Sequence, residues 1–180
     1  AYLVTSFLKV LDEMQIPVMY NTRATSILME DGKAVGVVAE GTDTVYTIHA
    51  KSIVLATGGF GANMDMITQY NPSLAGSVTT NAPGATGDGI VMATEIGAAV
   101  RDMDQIQLHP TVEQGTSMLI TEGVRGDGAI LVNQQGVRFV NEMLTRDQVS
   151  AAELEQEGSY AYVIFDQRLR EGLKAAEKYI

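Results

Sequence analysis

The sequence predicts a mixed fold, with an α/β part followed by an α+β part. A helical pattern at the start leads into an antiparallel meander of three strands, and the apolar run Ser52–Thr57 then ends in two glycines. Such a run is typical of a buried parallel strand. After Asp102–Gln107 short strands and helices alternate with a different spacing. We therefore expect a domain boundary near residue 103, which divides the chain into 1–103 and 104–180.

The first elements follow from hydrophobic spacing and turn residues. Apolar residues between Val4 and Met14 recur at helical spacing and stop before Pro17, which predicts an amphipathic helix. Ile16–Tyr20 is predicted to be a short buried strand. Asp31-Gly32 separates two alternating runs and predicts a two-residue hairpin loop with positive φ. The predicted strands of the meander are Ala24–Glu30, Lys33–Ala39 and Val45–His49.

Glycine loops and short helices are predicted in the middle of the chain, and alternating elements follow. Asp65–Tyr70 is predicted to be a helix that ends at Asn71-Pro72, and a second helix is expected over Ile90–Ala99. The strands predicted after residue 103 are Ala129–Asn133, Arg138–Val140 and Tyr160–Phe165. The helices predicted there run from about Asp147 to Gln156 and over the last residues.

Composition excludes several classes of protein. The chain has 180 residues, 46% of them hydrophobic and 19% charged, as in ordinary globular proteins. Its net charge of −10 argues against a nucleic-acid partner, and its longest apolar runs are too short to span a bilayer. Because it has no cysteine, disulfides, thiolate chemistry and cysteine-bound metals are excluded, and no metal site is predicted. No N-terminal targeting segment is visible, and a cytoplasmic location is favoured over export.

Two glycine loops lie at element boundaries. They are Ala56-Thr57-Gly58-Gly59 and Thr86-Gly87-Asp88-Gly89, and the second precedes a predicted helix whose free N–H groups would attract an anion. Neither a phosphate-loop pattern nor a complete Gly-x-Gly-x-x-Gly strand–helix unit is present. Taken alone, these loops are better explained as plain turns, and they indicate nucleotide binding only weakly.

A concentration of reactive side chains follows in the second part. His109-Pro-Thr, Thr121-Glu122 with Arg125, and Thr145-Arg146-Asp147 bring together an imidazole, a carboxylate and two guanidinium groups. Singly, each has a simpler explanation, such as a loop histidine or a surface ion pair. Together they are the groups needed to hold a dicarboxylate and give it a proton.

The order of strands, meander, Ala-Thr-Gly-Gly and Ala-Thr-Gly-Asp-Gly resembles the FAD-binding domain of the fumarate reductase and succinate dehydrogenase flavoprotein family. The soluble flavocytochrome-type fumarate reductases are the most similar branch. The resemblance covers essentially the whole chain. It implies a partial three-layer FAD-binding domain over 1–103 and part of the capping domain over 104–180. It also implies FAD as cofactor: Ala24 would contact the adenine, Ala56, Thr57 and Gly58 would line the pyrophosphate or ribose, and Asp88 would lie near the isoalloxazine.

The same resemblance extends to the reactive side chains and implies that fumarate is reduced to succinate. His109, Thr121 and Glu122 would hold one carboxylate of the dicarboxylate substrate. Arg146 would be the proton donor, and Glu122 with Arg125 would return a proton to it.

Arginine is ordinarily a poor general acid because it stays protonated in proteins. Hydride addition to an electron-poor alkene, however, makes the neighbouring carbon more basic than guanidine, so the proton transfer runs downhill. The positive charge also stabilises the substrate carboxylate and the developing enolate. If Thr145 caps the following helix, Arg146 lies in its first turn, where the helix dipole disfavours a cation and Asp147 opposes that effect.

Several parts of the family pattern are missing. The Gly-x-Gly-x-x-Gly unit and the residues for the other substrate carboxylate are absent, so we expect an internal segment whose electron-donor domain or subunit lies outside this chain. Three alternatives stay open. They are a flavin enzyme acting on another activated alkene such as urocanate or an enone, a non-catalytic binding module, and the membrane-complex succinate dehydrogenase flavoprotein.

We expect the isolated 180-residue segment to bind FAD weakly or not at all and to be inactive, because much of the flavin site is missing from it. The absorbance of the purified segment at flavin wavelengths tests this. A stoichiometric yellow protein would contradict the expectation.

Overall fold

The computed structural model of the chain describes residues 2–175, and its mixed α/β architecture with antiparallel strands confirms the predicted fold class. The helices are α1 Tyr2–Glu13, α2 Met64–Tyr70, α3 Asp88–Glu95, α4 Glu122–Gly126, α5 Arg146–Leu154 and α6 Gln167–Ala175. The strands are β1 Arg23–Glu30, β2 Lys33–Glu40, β3 Val45–His49, β4 Ile130–Val132 and β5 Tyr162–Ile164. Within the described part, no helix has the length and hydropathy of a membrane span.

The residues fall into two compact units. The first contains the chain up to Gly58 together with Gly87–Val100, and the second contains Gly59–Thr86 and the chain from Arg101 onward. All five predicted cofactor-binding residues belong to the first unit, and all predicted catalytic and substrate-binding residues belong to the second. These compact units are not the same as the FAD-binding and capping domains that the sequence predicts. The predicted boundary between those domains near residue 103 stays a prediction.

The meander of the first unit forms as its sequence predicts. Strands β1, β2 and β3 are antiparallel neighbours in that order, with Ile27 opposite Val37 and Val38 opposite Thr47. Asp31 and Gly32 have φ of 47° and 75°, so the predicted two-residue hairpin loop forms with the positive φ that this type of loop tolerates.

Two predicted strands of the first unit are wrong. Neither Ile16–Tyr20 nor Ser52–Thr57 has strand structure, and Val54 is 86% exposed. A strand needs a hydrogen-bonded neighbour, and among residues 2–175 no strand pairs with either segment. Helix α1 has the predicted position, but none of its residues is buried.

Glycine also ends α3 earlier than predicted. The helix stops at Glu95 rather than Ala99 because Gly97, with φ of 91°, donates to Thr94 O and Ala98 donates to Ala93 O. These bonds satisfy carbonyls of the last turn and close the helix.

The second unit has a small core between a two-stranded sheet and short helices. Strands β4 and β5 are antiparallel, with Leu131 opposite Val163. The core is formed by buried Val124 and Ala129 and by Ile120, Val163, Phe165 and Leu169 packed against them. Val149 of α5 is also fully buried.

The prediction of a strand over Arg138–Val140 is wrong, because only Arg138 makes a bridge, to Val132. The turn before it explains this. The side chain of Asn133 accepts hydrogen bonds from the amides of Gln135 and Val137, and Gly136 has φ of 73°. These bonds close a tight loop that leaves one residue in register with β4.

Close packing inside the first unit leads to a stability prediction. A Cβ added at Gly89 would lie 2.1 Å from the hydroxyl oxygen of Thr57. We expect Gly89→Ala to force α3 away from the Thr57 loop and to destabilise the full-length protein by about 1–3 kcal/mol. Thermal denaturation checks this, with Gly84→Ala as the control because nothing lies within 4 Å of its added Cβ. Equal Tm values for the two variants would contradict it.

Candidate active site

His109 is held in one orientation by the loop that follows it. Its Nδ1 accepts a hydrogen bond from the amide of Thr111 at 3.3 Å, and Thr111 is itself buried with its hydroxyl donating to Ile120 O at 2.6 Å. An amide can only donate, so the proton of a neutral His109 ring is on Nε2. That nitrogen lies 3.2 Å from Oε2 of Glu122 and therefore donates to it.

Glu122 is the point where the predicted groups meet. Its Oε2 contacts His109, and its Oε1 accepts from the guanidinium of Arg146. The hydrogen bond from Arg146 is the main cause that lowers the pKa of Glu122 to about 2, and its own backbone and His109 add to the effect. Glu122 is therefore ionised throughout the physiological range, although its side chain is 49% exposed and solvent screens the pair.

Arg146 has a second partner that sequence reasoning missed. One terminal nitrogen of its guanidinium donates to the side-chain oxygen of Gln107 at 2.6 Å. A neutral glutamine has no charge that would suggest a partner for Arg146. Its position two residues before His109 was the one feature of the sequence that could have indicated a role for it. The two contacts leave the proposed donor bound to one anionic and one neutral acceptor.

The expectation that Arg146 begins a helix is confirmed. Thr145 is the N-cap of α5 with extended φ and ψ of −64° and 156°, and its carbonyl accepts from Val149. The hydroxyl of Thr145 lies against Asp147, where it is the largest cause lowering that carboxyl's pKa, and it does not cap a helix amide. Arg146 is thus the first residue of a helix, where the helix dipole disfavours its positive charge, and the neighbouring carboxylate of Asp147 favours that charge.

Arg125 points to a different place from Glu122, although both belong to α4. It is 5% exposed, and one terminal guanidinium nitrogen donates to the carbonyl oxygen of Glu142 at 2.9 Å. Its Nε is buried and has no hydrogen-bond partner among the described residues. Within residues 2–175 no hydrogen bond or ion pair joins it to Glu122. The predicted return of a proton through this pair stays a prediction.

Helix α4 itself was not predicted from the sequence. Two of its five residues are glycines, which disfavour helix, so no periodic pattern marks it. Burial of Val124 and Arg125 holds the turn instead. This short helix carries Glu122 at its first position and thereby fixes the carboxylate that His109 and Arg146 share.

Glu153 on α5, which interacts with the charge of Arg125, has a strongly shifted pKa. Burial raises the pKa of Glu153 on α5 to about 7, while the backbone of Ala161 and the charge of Arg125 act in the opposite direction. Glu153 therefore gains or loses its proton near neutral pH. Nothing in the sequence pattern around it predicted this.

The predicted cofactor residues lie on three segments of the first unit. Ala24 is half-buried on β1, opposite Ala39. Ala56, Thr57 and Gly58 are in an exposed stretch, and Asp88 accepts a hydrogen bond from Nε of Arg23 at 2.8 Å. Their contacts with a cofactor stay a prediction.

This arrangement fits a bound dinucleotide at its glycine loop. Gly58 has φ of 74°, and no atom of residues 2–175 lies within 4 Å of a Cβ added at Gly58 or Gly59. The backbone there is open to close approach by a large group, and it carries the N–H donors that a pyrophosphate needs.

Comparison with known proteins gives a consistent result. The FAD binding domain family matches residues 1–177. The chain is 49% identical to the NADH:fumarate oxidoreductase of Klebsiella pneumoniae, over 99% of this chain and 20% of that protein. It is 41% identical to the urocanate reductase of Eggerthella lenta, over 84% and 26%. The open conformation of a flavocytochrome c3 fumarate reductase superposes with a TM-score of 0.81 at 42% identity, over 98% of this chain and 32% of that chain.

The chain thus spans between a fifth and a third of the length of these relatives. The similarity confirms the predicted resemblance to a flavoprotein with an FAD-binding domain and the expectation that the chain is a segment of a longer protein.

The titration of Glu153 leads to a prediction about stability and pH. Its folded pKa is raised, so the folded state binds the proton more tightly, and the stabilisation present below about pH 4.5 is lost as pH rises through about 7. We expect Glu153→Gln to raise the Tm of the full-length protein at pH 8 and to change it little at pH 5. Glu155→Gln, at an exposed position of the same helix end, is the control. A Tm difference independent of pH would refute the assignment.

Proposed function

The chain belongs to the FAD binding domain family, and from that premise we propose that its parent is an FAD-dependent oxidoreductase that reduces fumarate to succinate. Arg146 is the proton donor in this proposal. The observation that carries it is the carboxylate of Glu122, which binds the ring of His109 and the guanidinium of Arg146 at once. The names of the similar fumarate-reducing proteins support the substrate.

The charges indicate how the residues divide the work of binding a dicarboxylate. An ionised Glu122 repels a substrate carboxylate, so its contribution to binding is indirect: it orients His109 and Arg146, which are donors. Thr121 at the N-cap of α4 makes no side-chain cap hydrogen bond, and its hydroxyl is suited to donate to the substrate. His109, Thr121 and Glu122 together then form the binding group for one carboxylate.

Arg146 performs two functions in the proposal. When bound, reduced FAD supplies the hydride equivalent that the reduction needs. The guanidinium of Arg146 stabilises the negative charge that builds up on the substrate and gives a proton from one terminal nitrogen to the carbon that has become basic. Gln107 and Glu122 hold the guanidinium in place for that transfer.

In the proposal, Glu122 and Arg125 together return a proton to Arg146 after it has acted as the donor. Glu122 is half-exposed and contacts Arg146 directly, so it is suited to take up a proton from solvent after the transfer and to pass it to the neutral guanidine. Arg125 supports this by holding α4 in place, as its buried position and its bond to the Glu142 carbonyl indicate. The electron-donor domain or subunit lies outside this chain, and NADH is named for one relative.

Reduction of another activated alkene is the second candidate. It is supported by the 41% identity to a protein named urocanate reductase. The guanidinium of Arg146 and the hydroxyl of Thr121 are suited to any substrate that carries a carboxylate next to a conjugated alkene. A panel of fumarate, urocanate, acrylate and an enone, assayed with the full-length protein, separates the two candidates by their kcat/KM values. The same panel with no substrate turned over would favour a non-catalytic binding module.

We predict that Arg146→Lys in the full-length protein lowers kcat for fumarate by about 100-fold or more while FAD content stays normal. A lysine keeps the charge but not the two-pronged geometry that reaches Gln107 and Glu122 together. Steady-state turnover per bound FAD measures the effect.

Arg101→Lys is the matched control for that variant. Arg101 is 90% exposed and pairs only with its neighbour Asp102 in the described structure, so turnover should be unchanged. Near-normal turnover of Arg146→Lys would remove Arg146 from the mechanism.

A further inference from the structure

Glu142 is a buried carboxylate that ties three parts of the second unit together. It is 3% exposed. Its Oε1 accepts from the amide of Leu131 on β4 at 2.8 Å, and both carboxylate oxygens accept from the guanidinium of Arg138, the shortest bond being 2.6 Å. A two-pronged pair of this kind fixes orientation as well as distance.

The main chain of Glu142 makes a contact of equal importance. Its carbonyl oxygen accepts the buried guanidinium of Arg125 at 2.9 Å, so the loop before α5 is bound to α4. Asn141 stabilises the same loop, because its side chain accepts from the amide of Met143 and its carbonyl accepts from that of Leu144. Four residues after Glu142 the loop reaches Arg146.

These contacts close a ring through the active site. Helix α4 runs from Glu122 to Arg125, Arg125 binds Glu142, the loop runs from Glu142 to Arg146, and Arg146 binds Glu122. Two side-chain contacts close this ring: the ion pair of Arg146 with Glu122, and the hydrogen bond of Arg125 to the Glu142 carbonyl. The position of that carbonyl is set by where the Glu142 carboxylate is anchored.

We propose that Glu142 is a positioning residue: its carboxylate, anchored to Arg138 and β4, sets where the guanidinium of Arg146 stands against Glu122. The proposal rests on the proposed function, in which Arg146 donates the proton. Glu142 touches neither substrate nor cofactor in it. It acts through the loop at residues 142–146 and through Arg125.

The electrostatics support a carboxylate at this position. Burial raises the pKa of Glu142, but the hydrogen bonds from Arg138 and from the Leu131 amide outweigh burial and keep it lowered. The carboxylate of Glu142 therefore stays charged, and both of its oxygens accept hydrogen bonds from the guanidinium of Arg138. A glutamine of the same size would retain an oxygen for Leu131 but would turn an NH₂ donor towards the guanidinium.

Glu142→Gln in the full-length, FAD-loaded protein tests the proposal. We expect kcat for fumarate, counted per bound FAD, to fall by about tenfold to a hundredfold while KM changes by no more than about twofold, because displacement of a donor affects the transition state most. A purely structural role would reduce the amount of FAD-loaded protein and leave kcat per bound FAD unchanged.

Arg138→Gln gives the same test if Glu142→Gln fails to fold, since the Arg138 side chain is 57% exposed and its replacement opens no cavity. We expect the same loss of kcat, and in the double variant no further loss, because both changes break one pair. Asp102→Asn, which breaks the exposed pair with Arg101, is the control and should retain normal kcat and KM.

The outcomes separate this inference from the proposed function. If Arg146→Lys loses turnover while Glu142→Gln and Arg138→Gln retain kcat per bound FAD, only the positioning role of Glu142 is overturned. If Arg146→Lys retains turnover, the proposed function itself fails. Additive losses for Glu142→Gln and Arg138→Gln would also overturn the positioning role.

Discussion

A charge taken out of water must find a partner, and in the second unit this requirement determines the local structure. The carboxylate of Glu142 and the guanidinium of Arg125 are both buried, and each is bound by a different part of the chain, the carboxylate by Arg138 and the guanidinium by the carbonyl of Glu142. Meeting both demands at once fixes the loop before α5 against α4. A helix of five residues with two glycines has little stability of its own, so α4 depends on this arrangement.

The exposed half of the same arrangement is where chemistry is possible. Glu122 lies at the solvent side of α4 as an anion between two donors, with His109 presenting Nε2 and Arg146 presenting its guanidinium. An anion placed between donors keeps them in fixed positions, but it also competes with any carboxylate ligand for them. The site therefore gains affinity for a dicarboxylate only if the ligand meets donors that Glu122 orients without saturating. The hydroxyl of Thr121 and the five-donor guanidinium of Arg146 satisfy that condition, whereas the single N–H of a neutral His109 is already donated to Glu122.

The sequence predicted those elements that depend on neighbouring residues. Asp31-Gly32 determines a turn by its own backbone preferences, and Thr145 is found at the N-cap position of α5, where threonine is favoured, although its hydroxyl makes no capping bond there. Ile16–Tyr20 and Ser52–Thr57 failed as strands because strand structure depends on a partner that no local pattern reveals. Gln107 and Glu142 were not assigned roles for a related reason. Their roles arise from contacts with residues 39 and 11 positions away in sequence, at Arg146 and Leu131.

The distribution of functional residues has a consequence for how the protein can lose activity. The predicted FAD contacts depend on a meander strand, a glycine loop and the start of α3, all in the first unit. The residues that the proposal assigns to proton transfer depend on the buried carboxylate of Glu142 and the buried guanidinium of Arg125 in the second unit. If these assignments hold, damage to Gly89 or Thr57 acts on cofactor content, and damage to Glu142 or Arg138 acts on the placement of Arg146. Turnover alone cannot distinguish these two failures, because both reduce it. Turnover counted per bound FAD can, since only the second failure leaves a fully loaded protein that reacts slowly.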